Sequence, residues 1–179
     1  MRIYILITLL IGFNSFSQEK VNKESASVEK SVFGIQTGFL GLWINNEAKI
    51  NNAIALRSEI GAEPHITIDI GTVYSPVLRL EPRYYYNLEK RIHKGKDISN
   101  NSGNFFGLNI NYRPNTVIYR TKDYLSPVES LSIVPKWGIR RNLGKNFNYE
   151  VGAGLGFRHE FKVKNYGEVD LHFRLGYKF

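Results

Sequence analysis

The chain is 179 residues long and has no cysteine, and its 24 Lys+Arg outnumber 16 Asp+Glu to give a formal net charge of +8. That length favours a single domain, and the missing thiols exclude both a disulfide framework and a lipid-acylated N-terminal cysteine. The basic excess allows contact with nucleic acid or anionic lipid and carries no information about fold.

The N-terminal stretch "MRIYILITLLIGFNSFS" sets one positive charge, Arg2, ahead of a mostly apolar run from Ile3 to Phe13 that is too short to span a bilayer as a helix. Ser15 and Ser17 flank Phe16 in the small-x-small pattern that a signal peptidase accepts. Residues 1–17 are therefore predicted to be a secretory signal peptide, with Gln18 the mature N-terminus. Export takes the chain away from nucleic acid, so anionic lipid is the expected partner. Residues 18–30, "QEKVNKESASVEK", are polar and aperiodic, which predicts a flexible leader.

From residue 31 to the end the hydrophobic period is two almost everywhere, and eight strands are predicted. "VFGIQTGFLGLW" (32–43) alternates through Phe33, Ile35, Phe39 and Trp43. "NAIALRSEIGAE" (52–63) sets Ile54, Leu56, Ser58, Ile60 and Ala62 against Ala55, Arg57, Glu59, Gly61 and Glu63. "HITIDIGTVY" (65–74) is a weaker strand through Ile66, Ile68 and Ile70. "VLRLEPRYYYNL" (77–88) opposes Leu78, Leu80, Pro82, Tyr84 and Tyr86 to Arg79, Glu81, Arg83 and Tyr85. In "NFFGLNINYR" (104–113) Phe106, Leu108, Ile110 and Tyr112 alternate with Phe105, Gly107, Asn109, Asn111 and Arg113. "SLSIVPKWGIR" (130–140) places Leu131, Ile133, Pro135, Trp137 and Ile139 opposite Ser130, Ser132, Val134, Lys136, Gly138 and Arg140. "YEVGAGLGFRHEF" (149–161) puts Glu150, Arg158, Glu160 and three glycines on the polar face, leaving room there for a local void. The last strand, "VDLHFRLGYKF" (169–179), alternates without a fault up to Phe179.

Period two does not distinguish a soluble sandwich, apolar side inward, from a membrane barrel, apolar side outward. Three features favour the barrel. The runs are about ten to thirteen residues, near the ~9–11 that a tilted strand needs to cross the hydrocarbon and longer than ordinary soluble strands. Aromatic residues on the apolar face, namely Tyr84, Tyr86, Trp137, Tyr149, Tyr177 and Phe179, fall towards strand ends, where amphipathic rings prefer the headgroup level. The opposite face mixes glycine with both signs of charge, as the side-chain-filled interior of a small barrel does. The predicted interior network is Arg57, Glu59, Arg79, Glu81, Arg83, Glu150, Arg158, Glu160, Asp170 and Arg174.

The alternating C-terminal strand ending on Phe179, behind a Sec-type signal and without cysteine, resembles the C-terminal signature of outer-membrane β-barrel proteins. Over residues 31–179 the pattern is similar to the small eight-stranded barrels of the OmpA/OmpX kind. That resemblance implies an all-β antiparallel up-and-down transmembrane barrel in the cell outer membrane, monomeric, assembled by the barrel-assembly machinery, with both termini periplasmic. Outer-membrane lipid, including lipopolysaccharide, is the expected partner. On that topology "RRNLGKN" (140–146) and the long "EKRIHKGKDISNNSG" (89–103) lie at the periplasmic end, whereas "PNTVIYRTKDYLSPVE" (114–129) and "KVKNYG" (162–167) face outside. Pro82 and Pro135 fall within strands, where each removes a ladder donor, and a bulge is expected at each.

The chemistry legible in the sequence is sparse. Ser132, His172 and Asp170 share the interior face and form a conceivable triad, but the plainer reading is that His172 bonds Asp170 or another carboxylate. His159 faces outward beside Phe157 and Phe161, with no serine at fixed spacing. The four histidines, His65, His93, His159 and His172, lack ligand spacing, so no metal or other cofactor is expected. The basic stretch from Lys90 to Lys96 could hold lipid phosphates, though such runs are ordinarily solvated. The expectation is a structural or surface-interaction protein and not an enzyme, with a lipid-A-modifying hydrolase or acyltransferase, or a narrow channel, as alternatives.

Overall fold

The structure is a computed structural model that describes residues 26–39, 41–67, 69–161 and 163–179. The predicted signal peptide and the leader as far as residue 25 lie outside them.

Eight antiparallel strands close on themselves: β1 (Ser31–Gly38), β2 (Gly41–Lys49), β3 (Ile54–Thr67), β4 (Gly71–Tyr85), β5 (Asn104–Arg113), β7 (Ser130–Leu143), β8 (Phe147–Glu160) and β9 (Asn165–Lys178). Each pairs with its neighbour in sequence, and β1 pairs with β9 to complete the ring. The two-residue β6 (Tyr119–Arg120) lies outside the ring, against β4. The fold is thus the expected up-and-down barrel.

The eight strands are not all the eight that the alternation suggests. The first predicted run is two strands, because the chain reverses between Gly38 and Gly41 with Phe39 at φ 45°. Trp43 consequently leaves the apolar face on which it was placed and points into the lumen. The weak run 65–74 is no strand of its own. His65–Thr67 ends β3 and Gly71 begins β4, with Asp69 at φ 64° and Gly71 at φ 147° making the turn. One strand too few and one too many cancel, since alternation of side chains persists on both sides of a tight reversal.

No bulge forms at either proline. Pro82 keeps its partner Leu56 on β3, and Pro135 keeps Leu108 on β5. On the other side the ladder opens for two residues, with β4 unpaired to β5 at Glu81 and Pro82, and β7 unpaired to β8 at Val134 and Pro135. Register is the same beyond each gap, so a missing N–H costs local pairing without an inserted residue.

The barrel is inverted relative to a soluble protein. Leu155, Phe157 and Leu171 are 72%, 76% and 75% exposed on the outside, whereas Arg57, Glu81, Arg83 and Glu150 are at most 1% exposed within. Burial thus selects between the two readings that period two left open.

Strand parity puts both described termini, the β2–β3 turn, the β4–β5 connection and the β7–β8 turn at one end of the barrel, the terminal end. The connection from Tyr86 to Gly103 is long for a turn because it folds as a cap, with α1 (Leu88–His93) and a 3-10 turn (Ser99–Asn101). Val28, Ala55, Tyr85, Leu88 and Phe105 form an apolar cluster under it, with Ala26 and Ile98 alongside. Residues 26–30, read as part of a flexible leader, are therefore packed: Val28 is buried and Glu29 N–H donates to Asn101 Oδ1 (2.8 Å). Leu88→Ala is expected to cost about 2–5 kcal/mol if the cap unfolds with the barrel. Limited trypsin digestion at Lys90, Arg91 and Lys94 should quicken, and unchanged cleavage would mean the cluster does not hold the cap.

Asp97 fastens the cap to the wall. It accepts from Ser99 N–H (2.8 Å), Ser99 Oγ (2.8 Å) and Asn142 Nδ2 (2.6 Å). Burial works against its charge, but these donors win and hold the carboxyl below its ordinary value. The contribution is present at neutral pH and is lost as pH falls through that lowered value.

Candidate functional site

Alternate residues of eight strands converge on the lumen, and the charges there are paired in three tiers. In the tier nearest the cap, Arg83 makes a two-pronged contact to Glu150 (2.8 and 2.7 Å) and donates from Nε to Glu81 (2.8 Å). Arg140 also reaches Glu150 (3.0 and 2.8 Å) and contacts Glu47 (2.9 Å). Glu47 further accepts from Tyr85 Oη and Asn101 Nδ2, both at 2.7 Å, which ties the lumen to the cap. Lys136 lies 2.8 Å from Glu81. Arg83 stacks on the Phe105 ring at 4.1 Å.

The middle tier centres on Glu59. It accepts from Arg57 (2.9 and 2.7 Å), from Arg174 (2.9 and 3.0 Å) and from Arg79. Arg57 also donates to Gln36 (2.6 Å), and Arg174 lies over the Trp43 ring at 3.9 Å. Beside this tier His172 Nδ1 meets Asp170 (2.9 Å) while its Nε2 lies 3.4 Å from Glu150.

The tier towards the other end, the loop end, joins Glu63 and Glu168. Glu63 accepts from Trp43 Nε1 (3.0 Å), Arg79 (2.7 Å) and Arg113 (3.3 Å). Glu168 accepts from Arg158 (2.6 and 2.9 Å) and Arg113 (3.4 Å). Taking so many ions out of water is tolerable because Glu47, Glu59, Glu63, Glu150 and Glu168 each face two or more guanidinium groups, Glu81 faces Arg83 and Lys136, and the forked donors fit both oxygens.

Nine of the ten residues predicted for the interior network make these contacts; Arg57 with Glu59 and Arg83 with Glu81 pair along their own strands, whereas others find partners far away in sequence. Arg158 pairs with Glu168 and not with Glu150, and Arg174 reaches across the lumen to Glu59. Glu160 stands apart: it is half-buried at the loop-end rim, and no ion pair joins it to the network among the described residues. Glu47, Glu63, Arg113, Lys136, Arg140 and Glu168 were not predicted as members. Glu63, Arg113, Lys136 and Arg140 were on the polar face by parity, so that face already contained them. Glu47 was missed because the first strand was ended at Trp43, and Glu168 because 162–167 was read as an external loop running up to it.

The glycines on the polar face leave no void. A Cβ on Gly152 would sit 2.5 Å from the His172 ring, and one on Gly154 would sit 2.6 Å from Lys136 Cβ. Neighbouring side-chain and backbone atoms already occupy the space. Ser132 hydrogen-bonds Asn111 Nδ2 (3.1 Å) and Arg113 (3.2 Å), while His172 is engaged by Asp170, so the serine and histidine of the conceivable triad are not bonded to one another.

The six aromatic residues gather at a single rim, the terminal end. Trp137 Nε1 donates to Tyr86 Oη (2.8 Å), and Tyr86 packs on Phe106 at 5.2 Å. Tyr177 packs on Phe179 (5.3 Å) and Phe147 (5.2 Å), and Phe179 on Phe33 (5.7 Å). Tyr84 is exposed beside Phe106, its Cα partner, and Tyr149 is half-buried opposite Leu175. The basic side chains of α1 form no part of the lumen. Among the described residues no group of three His, Asp or Glu is placed to hold a metal ion.

No protein-family model matches the chain, and no curated protein does. Among solved structures, the N-terminal β-barrel domain of Pseudomonas aeruginosa OprF aligns with a TM-score of 0.44 and 9% identity, covering 84% of this chain and 98% of that one.

Proposed function

We propose that this chain is an outer-membrane β-barrel protein with a structural or surface-interaction role and no catalytic site. The observation that carries the reading is the inversion of the barrel, with apolar side chains exposed outside and a paired arginine and glutamate core within. That arrangement is stable where the outer solvent is hydrocarbon. The aromatic rim would then sit at one headgroup layer. The terminal end is the periplasmic one, the partners are outer-membrane lipid and the barrel-assembly machinery, and the protein is a monomer.

The test is surface labelling of single cysteines, which the cysteine-free chain permits without background. In intact cells a cysteine at Tyr124, which lies in the β5–β7 connection at the loop end, should react. Cysteines at Lys94 and Lys145, both at the terminal end, should not. Labelling at Lys94 or Lys145 would reverse the orientation, and fractionation with soluble protein would end the membrane reading. Lipid-A profiles of cells with and without the protein should be identical, and an altered acylation pattern would favour an enzyme.

A further inference from the structure

The wall of the barrel is not of even height. β1 pairs with β9 only from Gly34–Lys178 to Thr37–Leu175, so Asn165–Arg174 of β9 has β8 on one side and, among the described residues, no strand on the other. Pairing of β2 with β3 likewise stops at Leu42–Ala62, leaving Glu63–Thr67 bonded to β4 alone. The short β1–β2 hairpin therefore forms the sill of a notch, and the edges of β3 and β9 form its sides. Elsewhere the same problem is solved differently. β4 also outruns β5, and there the β5–β7 connection folds back as β6, pairing Tyr119 and Arg120 with Tyr74 and Val73. Leaving one pair of edges open while covering another is costly in a bilayer, where unpaired backbone groups find no water.

A cavity of about 390 Å³ occupies the notch. Its lining includes every residue from Val169 to Arg174 and from Glu63 to Ile66, the two stretches that have no strand paired between them. The cavity therefore lies at the gap in the wall, bordered by residues of the lumen face and by residues of the outer face. Its outer lip is apolar, with Phe39, Leu171, Val169 and Ile66 exposed, and its inner end presents Arg79, Arg113, Arg158 and Arg174. Glu63, Glu168 and Asp170 share the cavity with these four guanidinium groups, and Glu59, which does not line it, pairs with Arg79 and Arg174. Arg174 is 6% exposed, yet its Nε–H has no acceptor among the described residues.

We propose that the notch between β3 and β9 is a lateral binding site for an anionic membrane lipid. Its acyl chain crosses the sill at Phe39, and its phosphate is held in the lumen by Arg113, Arg158 and Arg174. The apolar lip and the guanidinium donors within, the buried and unaccepted Nε–H of Arg174 among them, match the two ends of such a molecule, and the volume lies in the range of ordinary ligand pockets. The proposal rests on the membrane-barrel reading.

The experiment uses the unaltered protein in vesicles that contain either phosphatidylglycerol or phosphatidylcholine carrying a diazirine on the acyl carbons nearest the glycerol, with adducts mapped by mass spectrometry after illumination. Adducts on lumen-facing residues such as Trp43, Ser75 and Asn111, at least threefold more abundant with phosphatidylglycerol, are expected. Adducts confined to outward residues such as Leu155 and Phe157 would overturn the lateral site while sparing the membrane reading. Equal lumen labelling by both lipids would overturn the anionic specificity, and no adducts anywhere would overturn the membrane reading along with the site.

Discussion

Glu150→Ala should lower the stability of the folded barrel by about 3–5 kcal/mol, because it strips the shared acceptor from two buried guanidinium groups. Arg83 and Arg140 both end on this carboxylate, and His172 approaches it from β9. Glu81 and Glu47 remain as partial partners, so the loss is one of compensation and not of the whole tier. Urea titration in lipid vesicles, or the temperature at which the folded band gives way to the unfolded one on a cold gel, reads the change directly. Arg83→Ala should be of similar size, since it leaves Glu150, Glu81 and Glu47 facing fewer cations. The double variant should cost clearly less than the two separate losses together, because the residues share one network. An unmoved midpoint for both single variants would mean that the lumen is hydrated enough to screen the charges.

Leu155→Arg should cost about 2–4 kcal/mol of folding free energy in vesicles, the depth-dependent penalty of a cation on the lipid face of a barrel. Leu155 stands outward near the middle of β8 and is 72% exposed. On a water-soluble barrel the same change at so exposed a position would lie within about ±0.5 kcal/mol. The two environments thus predict different outcomes from one substitution. Folding efficiency and the urea midpoint in vesicles give the answer, and a neutral result would place that face in water.

Alternation determined, from the sequence alone, which residues share a face, except at Trp43, where an unread reversal moved the side chain into the lumen. The polar set Arg57, Glu59, Arg79, Glu81 and Arg83 is interior, and Leu78, Leu80, Phe106 and Leu171 are exterior, because successive side chains of a strand point to opposite sides whatever its neighbours are. The strand count of eight, and with it the placement of the β4–β5 connection at the terminal end, agreed with the structure because one missed strand and one surplus strand cancelled.

Tertiary structure alone decided three things. Reversals at Phe39 and at Asp69 depend on φ values that the local residue types do not demand, so one run was divided and another dissolved into a turn. Partners of the buried charges depend on register and on reach across the lumen, which is why Arg174 on β9 meets Glu59 on β3. The notch arises from unequal strand lengths around a closed ring, a β1 of 8 residues beside a β9 of 14. Sequence periodicity fixes the direction of each side chain locally, whereas ring closure fixes which strand ends before its neighbour, and only the closed ring brings the two unpaired edges to face one another.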